Sequence, residues 1–173
     1  NLGRHLARML ALSLELPEDY FDECLEEPLH YGRILKYPPH PKDAAPNQLG
    51  AGAHTDWGLL TILLQDQNGG LEVQNADGEW ISASPIPGAY IINLGEMVPV
   101  ITNGLYKATP HRVLNNISGN TRYSAPVFCD PEYFYKVKCA TTCMPESGEP
   151  KFPEMTAGEH LRSMFAKTFG ASA

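Results

Sequence analysis

Short apolar runs separated by glycine- and proline-containing turns constrain this chain more than any other feature of its sequence. Between residues 53 and 131 the runs alternate with turn signals such as Asn68-Gly69-Gly70 and Asp77-Gly78. An Asp-Gly pair between two such runs is typical of a tight β-hairpin. The 15 glycines and 15 prolines are also too many for a helical bundle. The pattern therefore predicts a mainly β protein built from short strands.

The flanking segments have a helical pattern instead. Apolar residues recur at helical spacing over 2–14, which predicts an amphipathic helix. Pro17 opens a second short helix over 17–27. Thr156 with Glu159 forms a capping box for a helix that ends near Phe169. The predicted strands are 31–37, 59–65, 71–75, 80–83, 89–94, 111–116 and 122–129, with a short helical turn over 95–101 and loops over 38–52 and 144–153. We expect a double-stranded β-helix, or jelly roll, with flanking helices, because that architecture encloses a cavity between two sheets.

Length, charge and cysteines narrow the class of protein. The 173 residues suit one domain, divided into a helical lead-in over 1–27, a jelly-roll core over 31–131 and a C-terminal helix over 156–169. The net charge is −7 and no basic run occurs, which argues against a nucleic-acid partner. No apolar run approaches the roughly 20 residues that span a membrane. The four cysteines match no zinc or disulfide spacing, so we expect free thiols in the cytoplasm, with a Cys139–Cys143 bridge as the alternative. The oligomeric state is left open.

The first candidate for chemistry is the tripeptide His54-Thr55-Asp56. Alternate side chains of a strand share one face, so His54 and Asp56 are expected to point the same way. His111, in another predicted strand, is the candidate for a third ligand. Two imidazoles and one carboxylate leave three positions of an octahedron open and are the ligand set of non-haem Fe(II) oxygenases. These residues therefore predict an iron site.

A His-x-Asp pair alone is weak evidence, because a hydrogen-bonded surface pair has the same sequence. The chain has six histidines, so chance pairings arise easily. His5 and His160 lie in predicted helices and His30 and His40 lie near predicted loops, and these four are interpreted as structural.

Arg122 and Ser124 strengthen the iron hypothesis. They alternate on the last predicted strand and therefore share a face, and the turn over 118–120 is expected to bring that strand back beside His111. A guanidinium with a hydroxyl is suited to a carboxylate, and a buried arginine needs an anionic partner. A dicarboxylic co-substrate reaching from the iron to Arg122 would supply that anion. The alternative is a structural pair between Arg122 and an Asp or Glu.

Several blocks of this sequence together resemble the isopenicillin N synthase-like family of iron(II)- and 2-oxoglutarate-dependent dioxygenases. In order, the blocks are LKYPPHP at 35–41, GAHTDWGLLTILLQDQNGGLEV at 52–73, the Trp at 80, PIPGAYIINLGEMV at 85–98, TNGLYKATPHRV at 102–113 and RYSAPVFCDP at 122–131. They cover about residues 31–131, and their order is far more specific than any one motif. Members of that family also carry an N-terminal region, so this chain is expected to be their C-terminal catalytic part.

The resemblance implies a role for each matching residue. His54, Asp56 and His111 would be the iron ligands, Arg122 and Ser124 would bind the distal carboxylate of 2-oxoglutarate, and Tyr37, Asn93 and Val113 would lie at the co-substrate pocket. Leu35 is a departure, since plant members often have Asn there, and it puts one polar contact to the co-substrate in doubt.

The resemblance also implies the activity. It is oxidation of a small organic molecule, commonly hydroxylation, with release of succinate and CO2. Fe(II), 2-oxoglutarate and dioxygen would be needed, and ascorbate is a candidate reductant. Trp57, Tyr106 and Phe128 are candidates for the substrate pocket, and each is equally well interpreted as a core aromatic. Two alternatives stay open: an Fe(II) oxidase of the same fold that does not use 2-oxoglutarate, and a non-catalytic jelly-roll binding module.

Overall fold

The computed structural model describes residues 2–41, 43, 45, 48–116 and 118–170. Its helices are α1 (Leu2–Ser13), α2 (Met97–Ile101) and α3 (Ala157–Phe169), with 3-10 turns at Glu23–Leu25 and Thr141–Cys143. Its strands are β1 (Leu29–Gly32), β2 (Leu35–Tyr37), β3 (Ala51–His54), β4 (Leu60–Gln65), β5 (Leu71–Gln74), β6 (Trp80–Ser82), β7 (Ile91–Leu94), β8 (His111–Val113), β9 (Arg122–Asp130), β10 (Lys136–Val137) and β11 (Met155–Thr156).

Two antiparallel sheets form the body of the described structure. The larger sheet has the order β1-β9-β4-β7, with β2 also paired to β9, and the smaller sheet has the order β3-β8-β5-β6. Strands β10 and β11 form a separate pair. Side chains from both sheets enclose a cavity between them. The predicted mainly β jelly roll with flanking helices is confirmed.

The sequence predicted that β9 lies beside β8, and this prediction is wrong. Strand β8 pairs with β3 and β5, whereas β9 pairs with β1, β2 and β4 in the other sheet. The connection over 114–121 is too long for a tight hairpin and carries the chain from one sheet to the other. His111 and Arg122 therefore reach the cavity from opposite sheets, and not from neighbouring strands.

The predicted strand over 31–37 is present but interrupted. Gly32 is opposite Val127 and Leu35 is opposite Ser124, so one register continues across the break. Pro126 lies opposite the break and has no N–H to donate, although its carbonyl accepts from the Arg33 N–H. Because the register is unbroken, alternate residues from Tyr31 to Tyr37 still share one face of the sheet.

Two other predicted elements differ from the structure. The helix expected over 17–27 is a series of turns ending in the 3-10 turn at Glu23–Leu25, since its backbone bonds run from residue i to residue i−3. The loop expected over 38–52 ends earlier, because Ala51 and Gly52 already belong to β3. The capping box of α3 is confirmed, with Thr156 accepting from the Glu159 N–H and Glu159 accepting from the Thr156 N–H.

The main hydrophobic core joins the helices to the larger sheet. It includes Ala7 and Leu10 of α1, Ile62 of β4, and Val98 and Ile101 of α2. All four cysteines are free thiols, and the cytoplasmic location inferred from them stays a prediction. No helix in the described part of the chain is long and apolar enough to cross a membrane.

Two glycines permit a close approach at one corner of this core. A Cβ on Gly58 would lie 1.5 Å from Oδ1 of Asp130, and a Cβ on Gly95 would lie 2.1 Å from the carbonyl oxygen of Gly58. Both contacts are far too short for any side chain. The chain therefore brings the segment after His54, the end of β7 and the end of β9 together at distances that only glycine allows.

We predict that Gly95→Ala destabilises the fold by about 3 kcal/mol, because the backbone at Gly58 must move to accommodate the methyl group. Gly52→Ala is the matched control, since nothing lies within 4 Å of a Cβ there. Urea unfolding curves measure both free energies of unfolding. Equal stability of the two variants would show that the close approach is not tight.

Candidate functional site

The cluster predicted to bind iron is assembled in the structure. One possible ligand atom from each of His54, Asp56 and His111 lies within 4.8 Å of the other two. Within the described ranges this is the only such group of three or more His, Cys, Asp or Glu residues. Asp56 and His111 are each only 7% exposed, whereas His54 is exposed. The cluster therefore lies at the edge of the interior, open on one side.

A β-bulge in β3 aims His54 into the cavity. Ala51 is opposite Val113 and His54 is opposite His111, so the register shifts by one residue between them. Without that shift, residues 51 and 54 would face opposite sides of the sheet, because side chains alternate along a strand. Strand β3 ends at His54, and Asp56 follows just beyond it.

Backbone carbonyls fix the tautomer of both histidines. Nδ1 of His54 lies 2.7 Å from the Gly52 carbonyl oxygen, and Nδ1 of His111 lies 3.1 Å from the Thr109 carbonyl oxygen. A carbonyl oxygen only accepts, so each Nδ1 carries the proton and donates it. Each Nε2 then keeps its lone pair for a metal, which is how metal-binding histidines are usually prepared.

Asp56 is oriented by its neighbours. Asn93 donates from Nδ2 to Oδ2 of Asp56 at 3.2 Å, while the other oxygen, Oδ1, lies 3.6 Å from Nε2 of His111. The backbone carbonyl of Asp56 accepts from the Glu96 N–H. One carboxylate oxygen is thus held by an amide and the other faces the histidine.

A buried carboxylate, that of Asp130, binds the backbone of the segment that follows Asp56. Asp130 is 1% exposed and accepts from the Leu59 N–H at 3.1 Å. Burial, together with the nearby charge of Asp56, raises the pKa of Asp130 to about 6. From α3, Nε2 of His160 lies 2.8 Å from the Trp57 carbonyl oxygen, so the imidazole donates there. Burial lowers the pKa of His160, which favours its neutral form.

The cluster of His54, Asp56 and His111 is here called the ligand cluster. The cavity between the sheets, here called the inner cavity, extends from this cluster to Arg122. Its volume is about 150 Å³. It is lined by Arg33, Leu35, Tyr37, Ala51, His54, Asp56, Thr61, Leu63, Leu71, Asn93, His111, Val113, Arg122, Ser124, Pro126 and Phe128. The predicted co-substrate residues Tyr37, Asn93, Val113, Arg122 and Ser124 are all among these. Leu35 also lines the inner cavity, and its apolar side chain supplies no polar contact.

Arg122 is a buried cation without a charged partner in the described structure. Its side chain is 2% exposed. Nε donates to the Gly69 carbonyl at 2.5 Å, Nη2 donates to Gln65 Oε1 at 3.2 Å, and the guanidinium carbon lies 4.9 Å from the Tyr37 ring centre. Nη1 is buried without any hydrogen-bond acceptor. No described carboxylate lies within ion-pair distance, so the alternative of a structural Arg–acid pair is not what the fold contains.

A second cavity, here called the outer cavity, adjoins the ligand cluster on the solvent side. It is lined by Tyr31, Arg33, His54, Thr55, Asp56, Trp57, Phe128, Phe165, Thr168 and Phe169. Two of the three candidate substrate residues, Trp57 and Phe128, lie here, and Phe128 lines both cavities. Tyr106 lines neither; it packs against the main core and its hydroxyl lies 3.5 Å from the Ser13 carbonyl. For Tyr106 the core interpretation is the one that the structure favours.

Sequence reasoning missed several contributors to the site. The carbonyls of Gly52 and Thr109 act through the backbone, so side-chain identity gave no sign of them, although each lies two residues before its histidine. Arg33 belongs to the same alternation as Leu35 and Tyr37, and that periodicity was a usable signal. Phe165 and Phe169 lie one helical turn apart on α3, but nothing local in the sequence places α3 beside the cluster.

A jelly roll in which two histidines and a carboxylate share a cavity with a buried arginine is suited to binding a single metal ion and a small anion. Comparison with known proteins specifies the class further. Residues 28–131 match the model of the 2OG-Fe(II) oxygenase superfamily. A 2-oxoglutarate-Fe(II) type oxidoreductase of Emericella nidulans is 37% identical over 171 residues, which are 98% of this chain and 49% of that protein.

Solved structures agree with this match. A full-length Neurospora crassa protein in complex with alpha-ketoglutarate superposes with a TM-score of 0.90 at 30% identity, covering 97% of this chain and 53% of that one. A complex of JOX2 with 2OG, Fe and JA gives a TM-score of 0.85 at 31% identity, covering 99% of this chain and 50% of that one. The chain thus spans about half the length of the proteins that it matches.

The chain belongs to the 2OG-Fe(II) oxygenase superfamily. That superfamily is named for Fe(II) and 2-oxoglutarate, which the resemblance found in the sequence also implies. The residues present fit them. Two imidazoles with free Nε2 lone pairs and one carboxylate suit Fe(II), and the unpartnered Nη1 of Arg122 suits an anion in the same cavity.

We predict that His111→Ala weakens Mn(II) binding by more than about 100-fold, since removing residues that only support a metal ligand already weakens binding by about 10- to 100-fold. Mn(II) replaces Fe(II) here because it does not oxidise readily in air. Isothermal titration calorimetry measures the affinity. His5→Ala, which removes an exposed histidine of α1, is the control and is expected to leave the affinity unchanged. Equal affinity in both variants would exclude this cluster as the metal site.

Proposed function

We propose that this chain is the catalytic part of an Fe(II)- and 2-oxoglutarate-dependent dioxygenase that oxidises, and in the usual case hydroxylates, a small organic molecule. When bound, the iron would activate dioxygen, which is the oxidant: one oxygen atom would enter succinate as 2-oxoglutarate loses CO2, and the other would be transferred to the substrate. The protein holds these components and the substrate in place and keeps water out.

The observation that carries the proposal is the buried, uncompensated guanidinium of Arg122 in the same cavity as the ligand cluster. Burying a cation without a counter-ion is costly, so such a group is expected to have an anionic partner when the protein works. Nη1 offers an unused donor, and Ser124, two residues along β9 on the same face, adds a hydroxyl. We assign the distal carboxylate of 2-oxoglutarate to these two residues.

The other residues have supporting roles. His54, Asp56 and His111 are proposed as the metal ligands, and Asn93 holds the carboxylate of Asp56. Tyr37 covers one face of the Arg122 guanidinium and shields it from water. Val113, with Leu63 and Leu71, forms the apolar wall along which the carbon chain of the co-substrate is expected to lie.

We predict that Arg122→Met weakens 2-oxoglutarate binding about 100-fold while leaving Mn(II) binding unchanged, since a hydrogen bond to a charged group contributes about 1.5–3 kcal/mol. Calorimetric titration of 2-oxoglutarate into the Mn(II)-loaded protein measures the loss. Arg112→Gln is the matched control, because Arg112 pairs with Glu72 at a partly buried position and lines neither cavity. If both variants bind 2-oxoglutarate as the native chain does, the carboxylate does not bind at Arg122.

The activity itself is tested by incubating the chain with Fe(II), ascorbate, 2-oxoglutarate and a panel of small organic molecules in air. We expect succinate to form in step with oxygen uptake, and the substrate that stimulates both to gain mass. Oxygen uptake without succinate would instead indicate an oxidase of the same fold. Absence of both, in a chain that also fails to bind Mn(II), would indicate a non-catalytic binding module.

A further inference from the structure

The outer cavity has a chemical character of its own. Its volume is about 270 Å³, just below the range of about 300–1,000 Å³ that accommodates drug-sized ligands. It shares His54 and Asp56 with the inner cavity, so a molecule bound there lies against the candidate metal ligands. A molecule of one or two rings is the size that this space admits.

Aromatic rings line the outer cavity from two directions. On the sheet side, Tyr31 and Phe128 stack with ring centres 4.6 Å apart and planes 20° from parallel. On the helix side, Phe165 and Phe169 of α3 lie 4.7 Å apart, and Phe169 meets Trp57 edge-on at 6.4 Å. Most of these rings are partly exposed, which leaves their faces free to contact a ligand. Flat aromatic surfaces favour a flat ring through stacked and edge-to-face contacts.

Arg33 is the one arginine or lysine among the residues that line the outer cavity, and it also lines the inner one. It lies on the cavity face of the sheet because it alternates with Leu35 and Tyr37 along the same register, and its side chain is exposed there. Among the described residues it forms no ion pair, and its only recorded partner is the Tyr31 ring, whose centre lies 5.9 Å from the guanidinium carbon. Since the whole chain carries a net charge of −7, a local cation is what an anionic ligand would require here.

We propose that the outer cavity binds an aromatic carboxylate, with its flat ring among Tyr31, Phe128 and the two phenylalanines of α3 and its carboxylate on Arg33. This inference rests on the proposed function and specifies the substrate class of that same site. Arg33 acts as a specificity-determining residue: it places the charged end of the ligand near the sheet and leaves the ring against the metal ligands.

The test uses calorimetric titration of the chain saturated with Mn(II) and 2-oxoglutarate, so that binding is measured without turnover. The probes are 2-naphthoate, its neutral analogue 2-naphthamide, the saturated analogue decalin-2-carboxylate, and the cation 2-naphthylmethylammonium. We expect 2-naphthoate to bind most tightly of the four. Arg33→Gln is expected to weaken 2-naphthoate about tenfold, which corresponds to about 1.4 kcal/mol, and to leave 2-naphthamide unchanged.

Matched variants separate charge from packing. Arg162→Gln removes a positive charge from the exposed surface of α3, outside both cavities, and is expected to leave 2-naphthoate binding unchanged. Phe169→Leu is expected to weaken the acid and the amide by the same factor, because it removes an aromatic face and no charge. Arg33 is exposed and pairs with no described acid, so Arg33→Gln is expected to fold as the native chain does, which its thermal unfolding midpoint checks.

Other outcomes would overturn the inference. Tighter binding of the cation, equal binding of the saturated acid, or equal weakening of acid and amide by Arg33→Gln each contradicts an aromatic carboxylate site. Normal Mn(II) and 2-oxoglutarate binding with no binding of any probe overturns this inference and leaves the proposed function standing. Loss of Mn(II) and 2-oxoglutarate binding in the native chain overturns both.

Discussion

The candidate metal site depends above all on the hydrogen bonds that hold the backbone from Asp56 to Leu59 in place. This backbone is hydrogen-bonded to the stretch between β7 and α2, where Gly95, Glu96 and Met97 donate to the carbonyls of Leu59, Asp56 and Gly58. The Asp130 carboxylate and the His160 imidazole hold the same segment from β9 and α3. Three separate elements thus fix the backbone beside Asp56, a proposed metal ligand, which lowers the cost of organising the site when a metal binds.

Strand alternation explains how the same fold places polar groups inside an apolar shell. Along β9, Arg122 and Ser124 face the inner cavity while Tyr123 and Val127 face outward and are exposed. On β4 and β8, too, every second side chain faces the inner cavity. The interior is therefore divided in two. One part is apolar and lies under α1 and α2, outside the larger sheet. The other part lies between the sheets, where Arg122 and Ser124 face the inner cavity beside an apolar wall of Leu63, Leu71 and Val113.

The sequence predicted most of the strands and most of the residues that face the inner cavity, because the alternation of side chains can be read within a single strand. The faces of β8 and β9, the hairpin at Asp77-Gly78 and the cap at Thr156 all follow from residues within one element or turn. Three features depend on longer-range contacts that the sequence does not show. The bulge before His54 is visible only in its pairing with β8, and the placement of β9 in the other sheet depends on where a long connection crosses. Tyr106 packs against α1, which lies far from it in sequence.

Charge balance relates the two cavities to each other. A divalent metal beside Asp56, with Arg122 buried in the same cavity, leaves two positive charges in excess, and a dicarboxylate dianion compensates both. Once the inner cavity is filled in this way, it contributes little net charge to a molecule approaching from outside. The charge preference of the outer cavity then depends on its own lining. Arg33 lines both cavities, and it is the one guanidinium that the metal, Asp56, Arg122 and the co-substrate leave uncompensated, so it remains to select a substrate by charge.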